Sequence, residues 1–262
     1  LPRLAANLTT MFREAPFLDR FALAAEAGFE AVEFQFPYEF EVDEVAAALA
    51  RHRLELALFN LPAGDWAAGE RGLAILPDRR SAFEASVDMA LSWAERLGCR
   101  KLHCMAGIVP EGVGRASLEE TYLANLRFAA DAAAAHGISI LIEPINRFDM
   151  PGYFLASMDE AARIQDKVGA DNLHLQYDFY HQSRTGGELL ATFERFAGRI
   201  AHVQIAGNPG RQEPDLGEVN YEFLLTALDD AGYQGLVGCE YRPAGKTQDG
   251  LGWAAAWLDG QG

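Results

Sequence analysis

The chain has 262 residues, and its 22 basic against 38 acidic side chains leave a net charge of −16. An acid excess of that size opposes binding to nucleic acid or to an anionic membrane, because both are held by clustered Lys and Arg. Half of the residues, 50%, are hydrophobic, which allows a sizeable core and excludes a disordered chain.

Apolar runs of strand length alternate with segments of helical spacing. The first strand is expected at Leu4–Leu8, followed by a helix over Phe17–Ala27. A second strand, Ala31–Phe36, leads to a helix over Val42–His52, and a third, Leu54–Asn60, leads through a long loop to a helix over Arg80–Leu97. The fourth, Lys101–Ala106, precedes a helix over Leu118–His136, and the fifth, Ile138–Pro144, precedes one over Met158–Val168. The sixth and seventh, Leu173–Asp178 and Ile200–Gly207, are followed by helices over Glu188–Phe196 and Tyr221–Ala231. Leu236–Tyr241 is the eighth. Ser117–Glu120 and Ser157–Glu160 read as capping boxes. Gly28, Gly98, Gly137 and Gly232 each follow a helical run, where a left-handed residue ends the helix.

Eight such units in ~250 residues are the length of a (β/α)8 barrel. The expected class is α/β, a single parallel eight-stranded TIM barrel filling residues 1–262 as one domain. A doubly wound open sheet is the alternative, but Leu8–Met11 has no glycine of a phosphate-binding loop. The three cysteines, Cys99, Cys104 and Cys239, form no CxxC pair and no disulfide framework, and Cys104 and Cys239 are expected on the helix-facing side of their strands. No apolar run approaches the ~20 residues of a membrane span. Leu1–Arg13 lacks the basic-then-apolar pattern of a signal peptide, so a cytoplasmic location is the expectation.

Strand residues alternate between two faces. In the fifth strand Ile138, Ile140 and Ile142 share one face, and Ser139, Leu141 and Glu143 the other. The sixth strand separates Leu173, Leu175 and Tyr177 from His174, Gln176 and Asp178. The seventh separates Val203 and Ile205 from His202, Gln204 and Ala206, and the eighth separates Val237, Cys239 and Tyr241 from Leu236, Gly238 and Glu240. With the apolar faces against helices, the polar faces point into the barrel. Glu143, Asp178, Gln204 and Glu240 then meet at the C-terminal rim, where barrel active sites are built. Three carboxylates and an amide oxygen are hard donors that suit Mg²⁺ or Mn²⁺, and a divalent cation would offset their repulsion. The competing reading makes them polar strand ends bonded to backbone or Arg.

His181, three residues past Asp178, faces the same pocket or is a solvated loop residue. His103 points inward as a substrate contact or as a hydrogen-bonded core residue, and His174 and His202, deeper in their strands, read as structural. Arg71 and Arg211, in the loops after the third and seventh strands, are candidates to hold an anionic substrate group. Each is otherwise an ordinary surface arginine. Trp66 and Phe12, in rim loops, are candidates to cover the pocket.

Several longer strings carry a family resemblance. They are Ala6–Leu8, Val32–Tyr38, Phe59–Trp66, Ile142–Asn146, His202–Gly207 and Gly238–Pro243. On these the chain resembles, nearly end to end, the hydroxypyruvate isomerase family of the xylose-isomerase-like TIM-barrel superfamily, which includes 2-oxo-tetronate isomerases. The resemblance implies a metal site at Glu143, Asp178, Gln204 and Glu240, with Glu143 and Glu240 as the acid/base pair. Related sugar epimerases carry a histidine where this chain has Gln204. The implied substrate is a small hydroxy or oxo acid, hydroxypyruvate or a 2-oxo-tetronate, isomerised through an enediolate without a nicotinamide or flavin. A ketose 3-epimerase and a non-catalytic sugar-acid binding protein are the rivals. An abasic-site endonuclease would call for a His-rich rim and a basic face, against 6 histidines and a charge of −16. Homo-oligomer formation stays open.

Overall fold

The computed structural model describes residues 2–258. Among them, nine strands and nine α-helices alternate along the chain. The strands are β1 (Arg3–Asn7), β2 (Ala31–Glu33), β3 (Glu55–Leu56), β4 (Phe59–Asn60), β5 (Lys101–His103), β6 (Ser139–Ile142), β7 (Leu173–Asp178), β8 (Ile200–Ile205) and β9 (Leu236–Cys239). The helices are α1 (Arg20–Glu26), α2 (Val42–His52), α3 (Arg80–Leu97), α4 (Arg115–Ala134), α5 (Met158–Val168), α6 (Phe179–Thr185), α7 (Leu189–Phe196), α8 (Tyr221–Asp230) and α9 (Ala255–Leu258). Every strand pair is parallel, in the order β3-β2-β1-β9-β8-β7-β6-β5-β4. This is the TIM-barrel-like α/β class that strand–helix alternation implies.

Nine strands appear where eight were expected because Leu54–Asn60 changes partner midway. Glu55–Leu56 pairs with β2, and Phe59–Asn60 pairs with β5. Between them Ala57 N–H donates to Val32 O at 2.8 Å, and Leu58 O accepts from Phe34 N–H at 3.4 Å. Switching neighbours inside one run divides it into two short strands that end the sheet on either side.

Helix ends follow their local signals with one exception. Gly28, Gly98, Gly137 and Gly232 have φ of 94°, 69°, 63° and 74°. Ser157 Oγ accepts the Glu160 N–H at 3.3 Å and caps α5. Ser117 does not cap α4. That helix starts earlier, with Gly114 at its N-cap, and the Ser117 N–H donates to Gly114 O at 3.1 Å inside the first turn. No helix among the described residues is long and apolar enough to cross a membrane.

The core has two compartments. Ile138, Ile140, Ile142, Leu175, Tyr177, Val203, Ile205, Val237 and Cys239 pack with helix residues such as Val87, Leu126, Ile164 and Leu224. The free, buried Cys99 and Cys104 also lie in this helix-facing layer. A separate small cluster, Ala5, Ala31, Ala57, Leu58, Leu141 and Leu236, joins strands from distant parts of the sheet and fills the interior. Toward the C-terminal strand ends the buried residues turn polar: Asn7, Glu33, His103, Gln176, His202 and Gln204. Buried polar groups are costly unless they find partners, so this layer has to be bonded internally or to a ligand.

Phe12, expected over the pocket, belongs to the core instead. Its backbone is left-handed, with φ 55°, and its N–H donates to Thr247 Oγ1 at 2.6 Å. The ring then packs edge-on against Phe29 at 6.5 Å. Trp66 stays exposed, with its ring 5.3 Å from Phe36.

Candidate functional site

Glu33, the last residue of β2, forms the floor of the site and is 0% exposed. Its Oε1 accepts from Asn7 Nδ2 at 2.9 Å and from Gln204 Nε2 at 2.7 Å, and its Oε2 lies 2.6 Å from His202 Nε2. β1 and β9 separate β2 from β8 in the sheet, so the bonds to His202 and Gln204 cross the interior. Gly238 on β9 makes space for this carboxylate, since a Cβ there would overlap both Glu33 oxygens. Gln204 Oε1 accepts from Gln176 Nε2 at 2.7 Å. The amide of Gln204 is therefore fixed, nitrogen down to Glu33 and oxygen toward the site, with a second lone pair on that oxygen.

Above this floor sit three carboxylates. Asp178 ends β7, while Glu143 and Glu240 each stand one residue beyond β6 and β9. They are 3%, 4% and 5% exposed. Asp178 Oδ1 caps α6 by accepting the Tyr180 N–H at 2.8 Å, which leaves Oδ2 without a hydrogen bond. Glu143 Oε1 also has none. Glu240 accepts from Gln35 Nε2 at 2.6 Å and from Arg211 Nη2 at 2.9 Å. Burial raises all three carboxyl pKa values. For Glu143 the charges of Glu240 and Asp178 add to burial and push it well above the usual range. Asp178 is pushed up to about 7 by burial, with Arg211 opposing, and Glu240 rises by burial against the same arginine. Orphaned oxygens in a buried group of like charges are a donor set that fits a hard divalent cation. Glu143, Asp178 and His181 each present a ligand atom within 4.8 Å of the others.

Arg211 enters the site, held by a left-handed backbone with φ 52° and by its O accepting the Arg242 N–H at 2.8 Å. Besides Glu240, it approaches Asp178 Oδ2 at 3.8 Å and Asp149 Oδ2 at 3.6 Å. Arg71 is not brought to the carboxylates. Its Nη1 donates to the Trp66 and Glu70 carbonyls at 2.9 and 2.7 Å, and its guanidinium lies 3.9 Å over the Trp66 ring. His103 is buried with its Nε2 3.7 Å from Glu143 Oε2 and no hydrogen bond to it. Burial lowers its pKa to about 3, which keeps the ring neutral. His181 is neither solvated nor in a loop. It is 4% exposed in the first turn of α6, with its Nε2 3.6 Å from Asp178 Oδ2.

A sequence profile described as xylose isomerase-like TIM barrel matches residues 21–259. The chain belongs to this family. A 2-oxo-tetronate isomerase of Cupriavidus necator is 51% identical over 258 residues, 98% of this chain and 99% of that one. A hydroxypyruvate isomerase of Escherichia coli is 46% identical over 251 residues, covering 96% and 97%. A crystal structure from Brucella melitensis, titled AP endonuclease, family 2, superposes with a TM-score of 0.96 at 51% identity over 98% and 99% of the two chains.

Within this member of the family, several site residues lie outside the expected set: Glu33, Gln35, Asn146, Asp149 and Gln176. The expected strand Ala31–Phe36 puts Glu33 mid-strand, on one face with Ala31 and Gln35; β2 ends at Glu33, which makes it a strand-end carboxylate like Glu143. Gln176 shares the inward face of β7 with Asp178. Asn146 and Asp149 lie in loops, where strand alternation says nothing about direction, and Gln35, inside the expected second strand, lies just past the end of β2.

Proposed function

We propose that the chain is a divalent-metal-dependent isomerase that interconverts hydroxypyruvate and 2-hydroxy-3-oxopropanoate through an enediolate. Its isomerase class follows from relatives at 51% and 46% identity over nearly the whole chain. The observation that carries the rest is the buried group Glu143, Asp178 and Glu240, in which Glu143 Oε1 and Asp178 Oδ2 have no hydrogen-bond partner. The finer fold reading counts residues 55–60 as one stave of an eight-stave barrel.

Glu143, Asp178, Gln204 and Glu240 would hold Mg²⁺ or Mn²⁺ through oxygen alone. Such a cation supplies positive charge where the substrate's carbonyl and hydroxyl oxygens become negative. Glu143 and Glu240 take a proton from the hydroxyl-bearing carbon and return one to the former carbonyl carbon. The hydroxyl proton passes to the other oxygen, so atoms balance and no redox partner is consumed. Arg211, whose guanidinium offers several donors beside Glu240, binds the substrate carboxylate. His181 and His103 contact the substrate, and Arg71, bonded within its own loop, stands as the weaker of the two candidate arginines.

A 2-oxo-tetronate is the second reading, favoured by the relative of that name at 51% identity. It has the same reacting carbons with one carbon more. A nuclease, the activity in the Brucella protein's name, would need a cationic face for phosphates, which the charge of −16 and a carboxylate-lined rim oppose.

Chelation should abolish activity, and Mg²⁺ or Mn²⁺ should restore it. Asp178 is pushed up to about 7, and a cation has to displace that proton. Cation affinity should therefore rise as pH increases through that value, with protons released on binding at pH ~6. Without cation, the native state binds more protons than the unfolded chain between the ordinary aspartate range and about 7, so stability falls as pH rises across that window. Calorimetry in two buffers reads the proton release. Full activity after verified metal removal contradicts the metal role.

A further inference from the structure

Asn146 lies three residues beyond Glu143 and is 0% exposed. Its Oδ1 accepts the backbone N–H groups of Phe148 at 3.0 Å and Asp149 at 2.9 Å. Two donors on one atom identify it as the oxygen, so the amide nitrogen occupies the other side. That nitrogen meets His181 Nδ1 at 2.7 Å. An amide nitrogen only donates, so Nδ1 must carry a lone pair. A doubly protonated ring would set N–H against N–H. The ring is therefore neutral, with its proton on Nε2, the nitrogen that faces the carboxylates.

His181 has two competing roles. Its distances to Glu143 and Asp178 suit a cation ligand. A ligating nitrogen needs a free lone pair, and Nε2–H has none. The separation of 3.6 Å from Nε2 to Asp178 Oδ2 is also too long to be a hydrogen bond, so the donor is not spent there. We propose that Asn146 is a positioning residue that holds His181 as the Nε2–H tautomer, which makes His181 a hydrogen-bond donor to the substrate and keeps it out of the metal's ligand set. The inference rests on the isomerase reading of this site. A neutral donor aimed at an oxygen that gains charge stabilises the enediolate more than the ground state.

Asn146→Asp separates this role from a structural one. Aspartate keeps an oxygen for the Phe148 and Asp149 N–H groups, so the turn persists. Its second oxygen only accepts, and draws a proton onto His181 Nδ1. Imidazole ¹⁵N NMR on the metal-free protein should find Nδ1 unprotonated in the wild type and protonated in Asn146→Asp. In the metal-loaded enzyme, kcat should fall roughly 100-fold, the scale for losing one donor to an oxygen that gains charge, with KM within about threefold. In the His181→Gln protein, which has no tautomer to set, Asn146→Asp should change kcat by no more than about twofold. A protonated Nδ1 in the wild type, or an equal loss in both backgrounds, overturns the proposal. If the wild type turned over no oxo acid, the function reading would fall, while the ¹⁵N spectra would still decide for or against Asn146.

Discussion

Glu143→Gln and Glu240→Gln should each lower turnover by about 10²–10⁴-fold, the usual contribution of a positioned acid or base. Glutamine keeps the shape of the side chain and an oxygen for a cation, but it cannot accept the carbon-bound proton. The fold should survive both changes. Burial and two neighbouring carboxylates already push the Glu143 carboxyl well above its ordinary range, so a neutral amide resembles the form the metal-free site prefers. Melting temperature without metal should hold or rise for Glu143→Gln. Glu240→Gln differs, because it removes the charge facing Arg211 Nη2 at 2.9 Å, and some loss of stability is expected there. Steady-state kinetics alongside thermal melts separate the two effects. Full activity in either folded variant would reject the acid/base assignment.

Glu33→Ala should cost several kcal/mol of folding stability, about 1–3 kcal/mol for each buried polar group left without its partner. The Glu33 carboxylate meets Asn7, Gln204 and His202, all buried, with the last at 2.6 Å. Alanine would strand these groups where water does not reach, and each orphaned group carries its own desolvation cost. Urea unfolding reads the loss. Activity should fall as well, because Gln204 loses the acceptor that turns its oxygen toward the carboxylates. A loss below about 1 kcal/mol would mean that water or a shift of the barrel floor replaces the carboxylate.

The alternation of strands and helices was legible because strands buried on their helix side repeat with period two, while the helices carry wider apolar stripes. The partner switch inside Leu54–Asn60 was not, since an apolar run does not reveal which neighbour each half meets. The strand-end carboxylates were legible in β6, β7 and β9 for one physical reason: a lone charge at the end of an apolar strand needs a partner. Glu33 escaped that reasoning because the expected strand runs on to Phe36 and puts it mid-strand, whereas β2 ends at Glu33. Helix α6 is not legible in the sequence because its seven residues are too short for periodicity, and its capping residue, Asp178, reads equally well as a ligand. Asp178 does both, one oxygen capping the helix and the other facing the site. Of the two rim arginines, the sequence had no means to choose. A left-handed backbone at Arg211 and a stacked tryptophan at Arg71 decided which one entered.

The most direct test of the proposed activity is NMR in D₂O with Mg²⁺ or Mn²⁺ present, taking hydroxypyruvate, a 2-oxo-tetronate and free ketohexoses in turn. The account predicts conversion of at least one of the two oxo acids to the isomer with its carbonyl moved one carbon along, the aldehyde from hydroxypyruvate or the 3-oxo acid from a 2-oxo-tetronate, with solvent deuterium entering at the carbon that receives the proton, and no epimerisation of the ketohexoses. Neither isomerisation nor deuterium exchange in either oxo acid, with metal binding verified, would contradict it.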